Sequence, residues 1–247
     1  MPRKSESLHQ IHDPGLTAGG YEEARLFAER YPHLQALQII LTSHLRRCLQ
    51  MASEINTYLS EARPNLGNIR IVAHPDLQEV SIYPCDTGSP LEVLHAEFPN
   101  IDFSDALFPE IYPRSAEVEV RKEDTIFDDI PDLLARRAER IREYIKRDLD
   151  DTEIIVISHG SFLHFLLNWW AGEPGTSRSL APQLQPGQAK PFTLAGPSIA
   201  GLEFEPLVHY AGPGYPALFS IQDYAVEIAQ FGVRDCGTFT IDSIQNA

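Results

Sequence analysis

Polar residues suited to anion chemistry follow shortly after apolar segments at three places in the sequence. Arg46 and Arg47 follow one such segment, Glu79 follows a second and His159 follows a third. Arginine forks bind phosphate and carboxylate oxygens, and glutamate and histidine are common proton donors and acceptors. If these side chains share one crevice, they could hold an anion and pass a proton to it.

The segment around His159 organises the rest of the chain. Its apolar run, Ile154-Ile155-Val156-Ile157, is typical of a strand that is buried on both faces of a parallel sheet. Gly160 permits a tight turn, and Ser161 is predicted to cap the helix that follows. We therefore expect His159 at the carboxyl end of a central strand, where open α/β sheets bind ligands and free N–H groups favour anions. The alternative is an ordinary polar residue in a loop.

The two arginines are predicted to lie in the first turn of a helix. A buried strand is predicted at Leu37–Leu41, followed by a cap at Thr42–Ser43 and a helix over His44–Leu59. Cations at a helix N-terminus oppose the helix dipole. This local cost indicates that both arginines hold an anion, although a solvated basic pair is the alternative.

Glu79 comes just past a short predicted strand at Ile69–Ala73. The segment Pro84–Ser89 beyond it contains Pro, Asp, Gly and Ser, which mark a structured loop. Glu79 could therefore face the same crevice as His159. The alternative is a solvated surface carboxylate.

The remaining elements before residue 170 are mostly helical. A helix is predicted over Tyr21–Arg30, and residues 90–120 suggest a short-helix insertion over the crevice. Pro131–Arg147 predicts a strong amphipathic helix with an apolar side and a solvated face of charges. These alternating elements indicate an α/β fold with a mostly parallel sheet.

After Trp170 the chain changes character. Residues 171–200 are rich in Gly, Pro, Ser and Ala and predict loop or disorder. Beyond them we predict a strand within Gly201–Tyr210, a short helix over Tyr224–Phe231 and a last strand at Thr238–Ile241. The predicted organisation is a disordered N-terminus over 1–12, an α/β domain over 13–170 and an atypical, partly disordered extension over 171–247.

Composition restricts the class of protein. The chain has 247 residues, 43% of them hydrophobic, and a formal net charge of −15. That charge argues against a nucleic-acid surface. Three distant cysteines without a CxxC pair indicate neither a disulfide framework nor a zinc cage. We expect a cytoplasmic protein, since the first residues lack the apolar core of a secretory signal and no apolar stretch is long enough to span a membrane.

Four segments together resemble a known family. They are DPGLTAGG, IILTSHLRRCLQMA, LQEVSIYPCDTGS and IIVISHGSFLHFLL, in this order over about residues 13–170. The set resembles the histidine phosphatase (phosphoglycerate mutase-like) superfamily, most of all its fungal-type phosphatase branch. The resemblance implies a three-layer α/β/α sandwich and phosphoryl transfer through a phosphohistidine, without a metal or other cofactor.

The resemblance also implies roles for particular residues. Arg47 matches the arginine of an S-x-x-x-R pattern that begins at Ser43, and would bind phosphate oxygens. Glu79 matches the general acid, and His159 matches the second histidine, which binds the phosphoryl group. The neighbours of His159 would add substrate-binding groups: Ser158, Gly160 and Ser161.

One motif of the family is missing. The family begins with an apolar strand that ends in Arg-His-Gly, whose histidine is the nucleophile, and these 247 residues contain no such tripeptide. His9 and His12 have the wrong neighbours to replace it and are not expected to form a metal pair. We therefore expect impaired catalysis and a sheet without the usual first central strand. The hypothesis is that Gly201–Tyr210 fills this gap in part or that the sheet is simply shorter.

The sequence leaves several functions open. The first is a phosphatase acting on a small phosphomonoester, with impaired catalysis. The second is a non-catalytic protein of the same fold that binds a phosphorylated ligand or a partner. An upstream segment with an Arg-His-Gly strand would instead make this chain the incomplete form of an active enzyme. The last alternative is an α/β binding domain without phosphate chemistry, since short motifs produce false matches.

Overall fold

Helices and strands alternate in the computed structural model, which describes residues 10–30, 37–62, 64, 69–80, 83–103, 130–149, 153–167, 170–171, 178–179, 188–198, 201–206 and 225–230. The helices are α1 (Ala18–Arg30), α2 (Arg46–Ala62), α3 (Leu91–Glu97), α4 (Ile130–Asp148) and α5 (Gly160–Leu166). The strands are β1 (Leu37–Ser43), β2 (Arg70–His74), β3 (Ile101–Asp102), β4 (Glu153–Ser158), β5 (Trp170–Ala171), β6 (Arg178–Ser179), β7 (Gln188–Ser198), β8 (Gly201–Pro206) and β9 (Ala225–Gln230). Two 3-10 turns, Pro75–Leu77 and Pro84–Asp86, lie between β2 and α3.

Seven strands form one sheet in the order β3-β2-β1-β4-β9-β7-β8. In this sheet order, the first five strands, β3, β2, β1, β4 and β9, pair in parallel. Strand β7 is antiparallel to both of its neighbours, β9 and β8. Thr42 near the end of β1 aligns with Ala73 of β2 and with Ile157 of β4, so the carboxyl ends of these strands lie at one edge. The predicted α/β class is confirmed, and β1 and β2 match the strands predicted at Leu37–Leu41 and Ile69–Ala73.

Apolar residues of the strands alternate between two clusters on opposite faces of the sheet. The cluster that contains α1 and α2 includes Leu37, Ile40, Ile71, Ala73, Ile155 and Ile157. The cluster that contains α4 and α5 includes Ile39, Leu41, Val72, Ile154 and Val156. Because successive strand residues point to opposite faces, a continuous apolar run is what a strand covered on both faces requires.

Helix α4 is amphipathic, as predicted from Pro131–Arg147. Its buried apolar residues are Leu134, Ala138, Ile141 and Ile145. Arg137 and Arg142 are buried as well, with exposed fractions of 9% and 4%. The prediction that the charges of this helix form a solvated face is therefore wrong for these two arginines, because their guanidinium groups donate to backbone carbonyls.

The structure corrects several predictions for the chain after residue 170. Within the predicted loop 171–200, the segment Gln188–Ser198 is β7. The strand predicted within Gly201–Tyr210 exists as β8, but it lies at the edge of the sheet, so the hypothesis that it fills a central gap is wrong. Strand β9 pairs with β4 at this place in the sheet. The sequence predicts a short helix over Tyr224–Phe231, the segment that contains β9, so that prediction is wrong. Short apolar segments adopt whichever state their tertiary pairing favours. Thr238–Ile241 lies outside the described residues.

Among the described residues, no helix has the length and apolar character needed to cross a lipid bilayer.

Candidate functional site

His159 stands where β4 ends and α5 begins, and its imidazole is part of a buried hydrogen-bond network. It is the N-cap residue of α5, with an extended backbone, and its exposed fraction is 3%. The Arg47 Nη2 atom lies 3.0 Å from Nδ1, and the Ser43 Oγ atom lies 2.8 Å from Nε2. The predicted location at a strand end beside a helix start is confirmed.

The partners of the imidazole determine which nitrogen carries the proton. A guanidinium can only donate, so Nδ1 of His159 must accept from Arg47. Nε2 then carries the proton and donates it to the Ser43 hydroxyl. Burial, and after it the charge of Arg47, holds the pKa of His159 well below its ordinary value, so the ring is neutral. Because Nε2 is already protonated, this pair is not a serine nucleophile with its general base.

Arg47, in the first turn of α2, joins His159 to the loop that follows β2. Its Nη2 donates to Asp86 Oδ1 at 2.8 Å, and its Nη1 donates to the Cys85 carbonyl at 2.7 Å. The side chains of Arg47 and Asp86 are each 5% exposed. Bulk salt screens such a buried pair only weakly, and the planar fork fixes its direction. Arg47 is therefore held in one orientation at this edge of the sheet.

Glu79 reaches from its loop to the start of α5. Its Oε1 accepts hydrogen bonds from the Val80 N–H at 2.9 Å and the Phe162 N–H at 3.2 Å, and its Oε2 accepts from the Ser161 N–H at 3.4 Å. The first N–H groups of a helix have no partner within the helix. Ser161 is the second residue of α5, so the prediction that its side chain caps the helix is wrong, and the carboxylate of Glu79 serves as the cap.

The carboxyl group of Glu79 is poised to titrate near neutral pH. Burial and then the negative charge of Asp86 raise its pKa from 4.5 to about 7. The Val80 N–H and the charge of Arg47 act in the opposite direction. A pKa raised to about 7 lets Glu79 carry a proton near neutral pH, which is the state that a general acid requires.

Arg46, predicted to hold an anion together with Arg47, is paired within the protein. Its Nε donates to Glu97 at 2.9 Å and its Nη1 donates to the Asp13 carbonyl at 2.9 Å. Its backbone N–H donates to Asp13 Oδ1 at 2.8 Å. The other carboxylate oxygen of Asp13 accepts from the N–H and hydroxyl of Ser89. Arg46 is therefore not a freely solvated charge, and its role as a ligand of an anion stays a prediction.

The other predicted binding residues lie beside His159 in different environments. The hydroxyl of Ser158 donates to the Leu77 carbonyl at 2.8 Å and so ties the end of β4 to the turn after β2. Gly160 and Ser161 are buried in the first turn of α5, and the N–H of Ser161 faces Glu79. Roles of these three residues in substrate binding stay predictions.

Helix α4 supports both parts of the site. Arg137 Nη2 donates to the Gln78 carbonyl at 2.6 Å, and the guanidinium carbon lies 4.0 Å from the centre of the Phe162 ring. Arg140 makes a two-point contact with Asp76 at 2.9 and 3.0 Å. These contacts fix the loop that carries Glu79 relative to the helix that follows His159.

Sequence reasoning gave no role to several of these residues. Ser43 was visible as the start of the S-x-x-x-R pattern, and Asp86 stands in the Pro-Cys-Asp-Thr-Gly turn. Cys48 lies within the predicted helix His44–Leu59 without a chemical role there, yet its Sγ lies 3.6 Å from His159 Nε2, and burial raises its pKa to about 12. For Arg137 the sequence offers no local signal, because its partners are distant in the chain.

Metal binding receives no positive support from the described residues. In those ranges no three His, Cys, Asp or Glu side chains are grouped so that they could hold a metal ion. His12 is described, whereas His9 lies outside the described residues. The expectation of a site without a metal or cofactor stays a prediction.

Comparison with known protein families gives one match. The model of the histidine phosphatase superfamily (branch 1) matches residues 3–186, which is more than half of the chain and includes every site residue described above. A search among curated proteins gave no match to this chain. With a match of this extent over a sheet edge that carries Arg47, Glu79 and His159, the chain belongs to the histidine phosphatase superfamily.

Proposed function

We propose that this chain binds a small phosphomonoester at the sheet edge and hydrolyses it slowly, as an impaired phosphatase. The observation that carries the proposal is the convergence of Arg47, His159 and Glu79, three residues from distant segments, at the carboxyl ends of parallel strands. Impairment is proposed because the 247 residues contain no Arg-His-Gly. We favour a phosphatase over a mutase, and the fungal-type branch, on the motif resemblance alone.

In the proposed reaction the protein supplies charge and a proton. Arg47 contributes a fixed positive charge beside the phosphoryl oxygens. A water oxygen forms the new bond to phosphorus as the bond between phosphorus and the leaving oxygen breaks. Protonated Glu79 gives its proton to the leaving oxygen. The attacking water loses a proton to solvent, from which Glu79 recovers its own.

A second function, binding without catalysis, has one observation in its favour. Both ring nitrogens of His159 already have partners, Arg47 and Ser43. A phosphoryl oxygen that contacts this ring must replace one of them. Because a neutral ring that is already paired adds no positive charge to the transition state, this arrangement supports binding without catalysis.

The first experiment is phosphate release from p-nitrophenyl phosphate by the purified 247-residue chain. His159→Ala and Glu79→Gln are measured beside it, with Asp148→Asn as the control because Asp148 is exposed and forms an ion pair with its neighbour Arg147. We expect slow turnover that falls on the order of 100-fold or more in both site variants, as for loss of a general acid, and is unchanged in the control.

Calorimetric titration with inorganic phosphate separates the two functions. Phosphate binding that is lost in Arg47→Ala, without turnover by the wild type, supports the binding protein and contradicts the phosphatase. If the wild type shows neither turnover nor phosphate binding, both proposed functions are wrong.

We also propose a cytoplasmic location and no nucleic-acid partner. The net charge of −15 supports the second of these, because it repels a polyanion.

A further inference from the structure

Asp86 and His159 share one nitrogen of Arg47. The Nη2 atom donates to Asp86 Oδ1 at 2.8 Å and lies 3.0 Å from His159 Nδ1. This nitrogen carries two hydrogens in the plane of the guanidinium. When one hydrogen points at Asp86, the position of the other is fixed, and here it points at His159. The carboxylate of Asp86, together with the Cys85 carbonyl that accepts from Nη1, therefore orients the guanidinium toward the imidazole.

Asp86 is itself held firmly. It ends the 3-10 turn Pro84–Asp86, and its N–H donates to the Tyr83 carbonyl at 2.9 Å. Its carbonyl accepts a hydrogen bond from the side-chain amide of Gln78, the residue before Glu79. Its exposed fraction is 3%. A buried carboxylate fixed at its backbone can orient an arginine, whereas a mobile surface carboxylate cannot.

We propose that Asp86 is a positioning residue, which holds Arg47 against His159 and keeps a negative charge beside Glu79. The inference rests on the proposed function, since the groups that Asp86 positions are those of the proposed phosphate pocket. No contact of Asp86 with a substrate is part of it.

The charged and titratable groups around Glu79 come from four elements, one of which is α4, whose Arg137 donates to the carbonyl of the preceding Gln78. Asp86 raises the pKa of Glu79, and Arg47 of α2 lowers it. Burial keeps the Cys48 thiol of α2 protonated and the His159 ring neutral, so neither brings a charge at neutral pH. Removal of the Asp86 charge should therefore lower the pKa of Glu79, because burial alone then opposes Arg47 and the backbone N–H donors.

Two variants divide the two roles of Asp86. Asp86→Asn removes the charge but keeps an oxygen that accepts from Arg47, so it should fold. Asp86→Ala removes both, and leaves Arg47 without its buried partner. Asp148→Asn is again the control, because it removes an exposed aspartate charge far along α4.

The measurement is an NMR titration of the full chain with labelled glutamate and histidine. In Asp86→Asn we expect the Glu79 midpoint to fall by on the order of one pH unit, as for loss of a nearby like charge, while His159 keeps its Nε2–H tautomer. In Asp86→Ala the His159 nitrogen shifts should indicate a mixture of tautomers. An unchanged Glu79 midpoint in Asp86→Asn overturns the inference, even if the alanine variant fails to fold, and so do unchanged His159 shifts in a folded Asp86→Ala.

Titration with inorganic phosphate distinguishes this inference from the proposed function. If the pocket binds phosphate, Asp86→Ala should weaken that binding about tenfold or more, while the control should not. If the wild type binds no phosphate but the NMR changes occur as expected, the proposed function is wrong and the positioning role of Asp86 stands.

Discussion

At the scale of the residue, burial and neighbouring charges change the pKa of two side chains of the described site. His159 is neutral because it is buried and lies beside Arg47, and Glu79 is close to its midpoint at neutral pH because it is buried near Asp86. Because the unfolded chain lacks these surroundings, each pKa change in the folded protein makes the free energy of unfolding depend on pH.

Glu79 should make the stability of the fold depend on pH. Its pKa is about 7 in the folded protein, against an ordinary value of 4.5, so between these values the folded state binds more protons than the unfolded state. The contribution of Glu79 is therefore fully present below pH 4.5 and is lost as pH rises through 7. The loss is at most about 3 kcal/mol.

Urea unfolding of the wild type and Glu79→Gln at pH 5, 6, 7 and 8 measures this effect. The free energy of unfolding of the wild type should fall relative to that of the glutamine variant as pH rises. Parallel pH profiles of the two proteins would show that the Glu79 carboxyl titrates in the folded protein as it does in water.

At the scale of the element, the helices of the site form hydrogen bonds at their ends with side chains from distant parts of the chain. Asp13 accepts from the first N–H of α2, and Glu79 accepts from the first turn of α5. Arg142 of α4 donates to the carbonyls of Phe165 and Leu166 at the other end of α5. A helix of this length has little stability of its own, so these contacts are needed to hold His159 at its N-terminus.

Arg142→Ala should destabilise the protein by about 2 kcal/mol, because two carbonyls of α5 lose a charged donor in a buried setting. Arg147→Ala on the same helix is the matched control, since Arg147 is exposed and contacts Asp148. Denaturant midpoints of both variants give the comparison. If the two variants lose equal stability, Arg142 is not an anchor of α5.

Asp13→Ala should cost about 3 kcal/mol, because it leaves buried donors of Arg46 and Ser89 without an acceptor. The backbone of Asp13 has φ 41°, a conformation that aspartate and asparagine tolerate better than alanine. Asp13→Asn should therefore lose less. Thermal unfolding of the three proteins tests this order, and an asparagine variant as unstable as the alanine variant would contradict it.

The sequence predicts the local structure of this domain well and its long-range contacts poorly. The strand before His159 and the helix with Arg47 follow from apolar periodicity, which is a local property. The cap that Glu79 gives to α5 joins residues 83 apart, and the burial of Arg137 depends on a carbonyl 59 residues away. Periodicity carries no information about such partners, so Arg137 was assigned to solvent and Ser161 to the cap.

At the scale of the whole molecule, the site exists only when distant parts of the chain are assembled. Arg47 and His159 are 112 residues apart, and Asp13 and Ser89 are 76 apart. The parallel pairing of β1 with β4 brings the first two together, and it requires a long connection. Folds dominated by such pairings form slowly, because loop closure precedes the contacts that compensate for it.

The position of β9 in the sheet means that β4 must wait for its partner strand during synthesis of the chain. Strand β9 lies between β4 and β7 in the sheet, although it is made long after β4. About 66 residues separate Ser158 from Ala225, which a ribosome adds in roughly 3–13 s. During that interval the nascent chain presents the open edge of β4, a template on which neighbouring chains can pair. A neighbouring chain that pairs with this edge would block the place of β9 in the sheet.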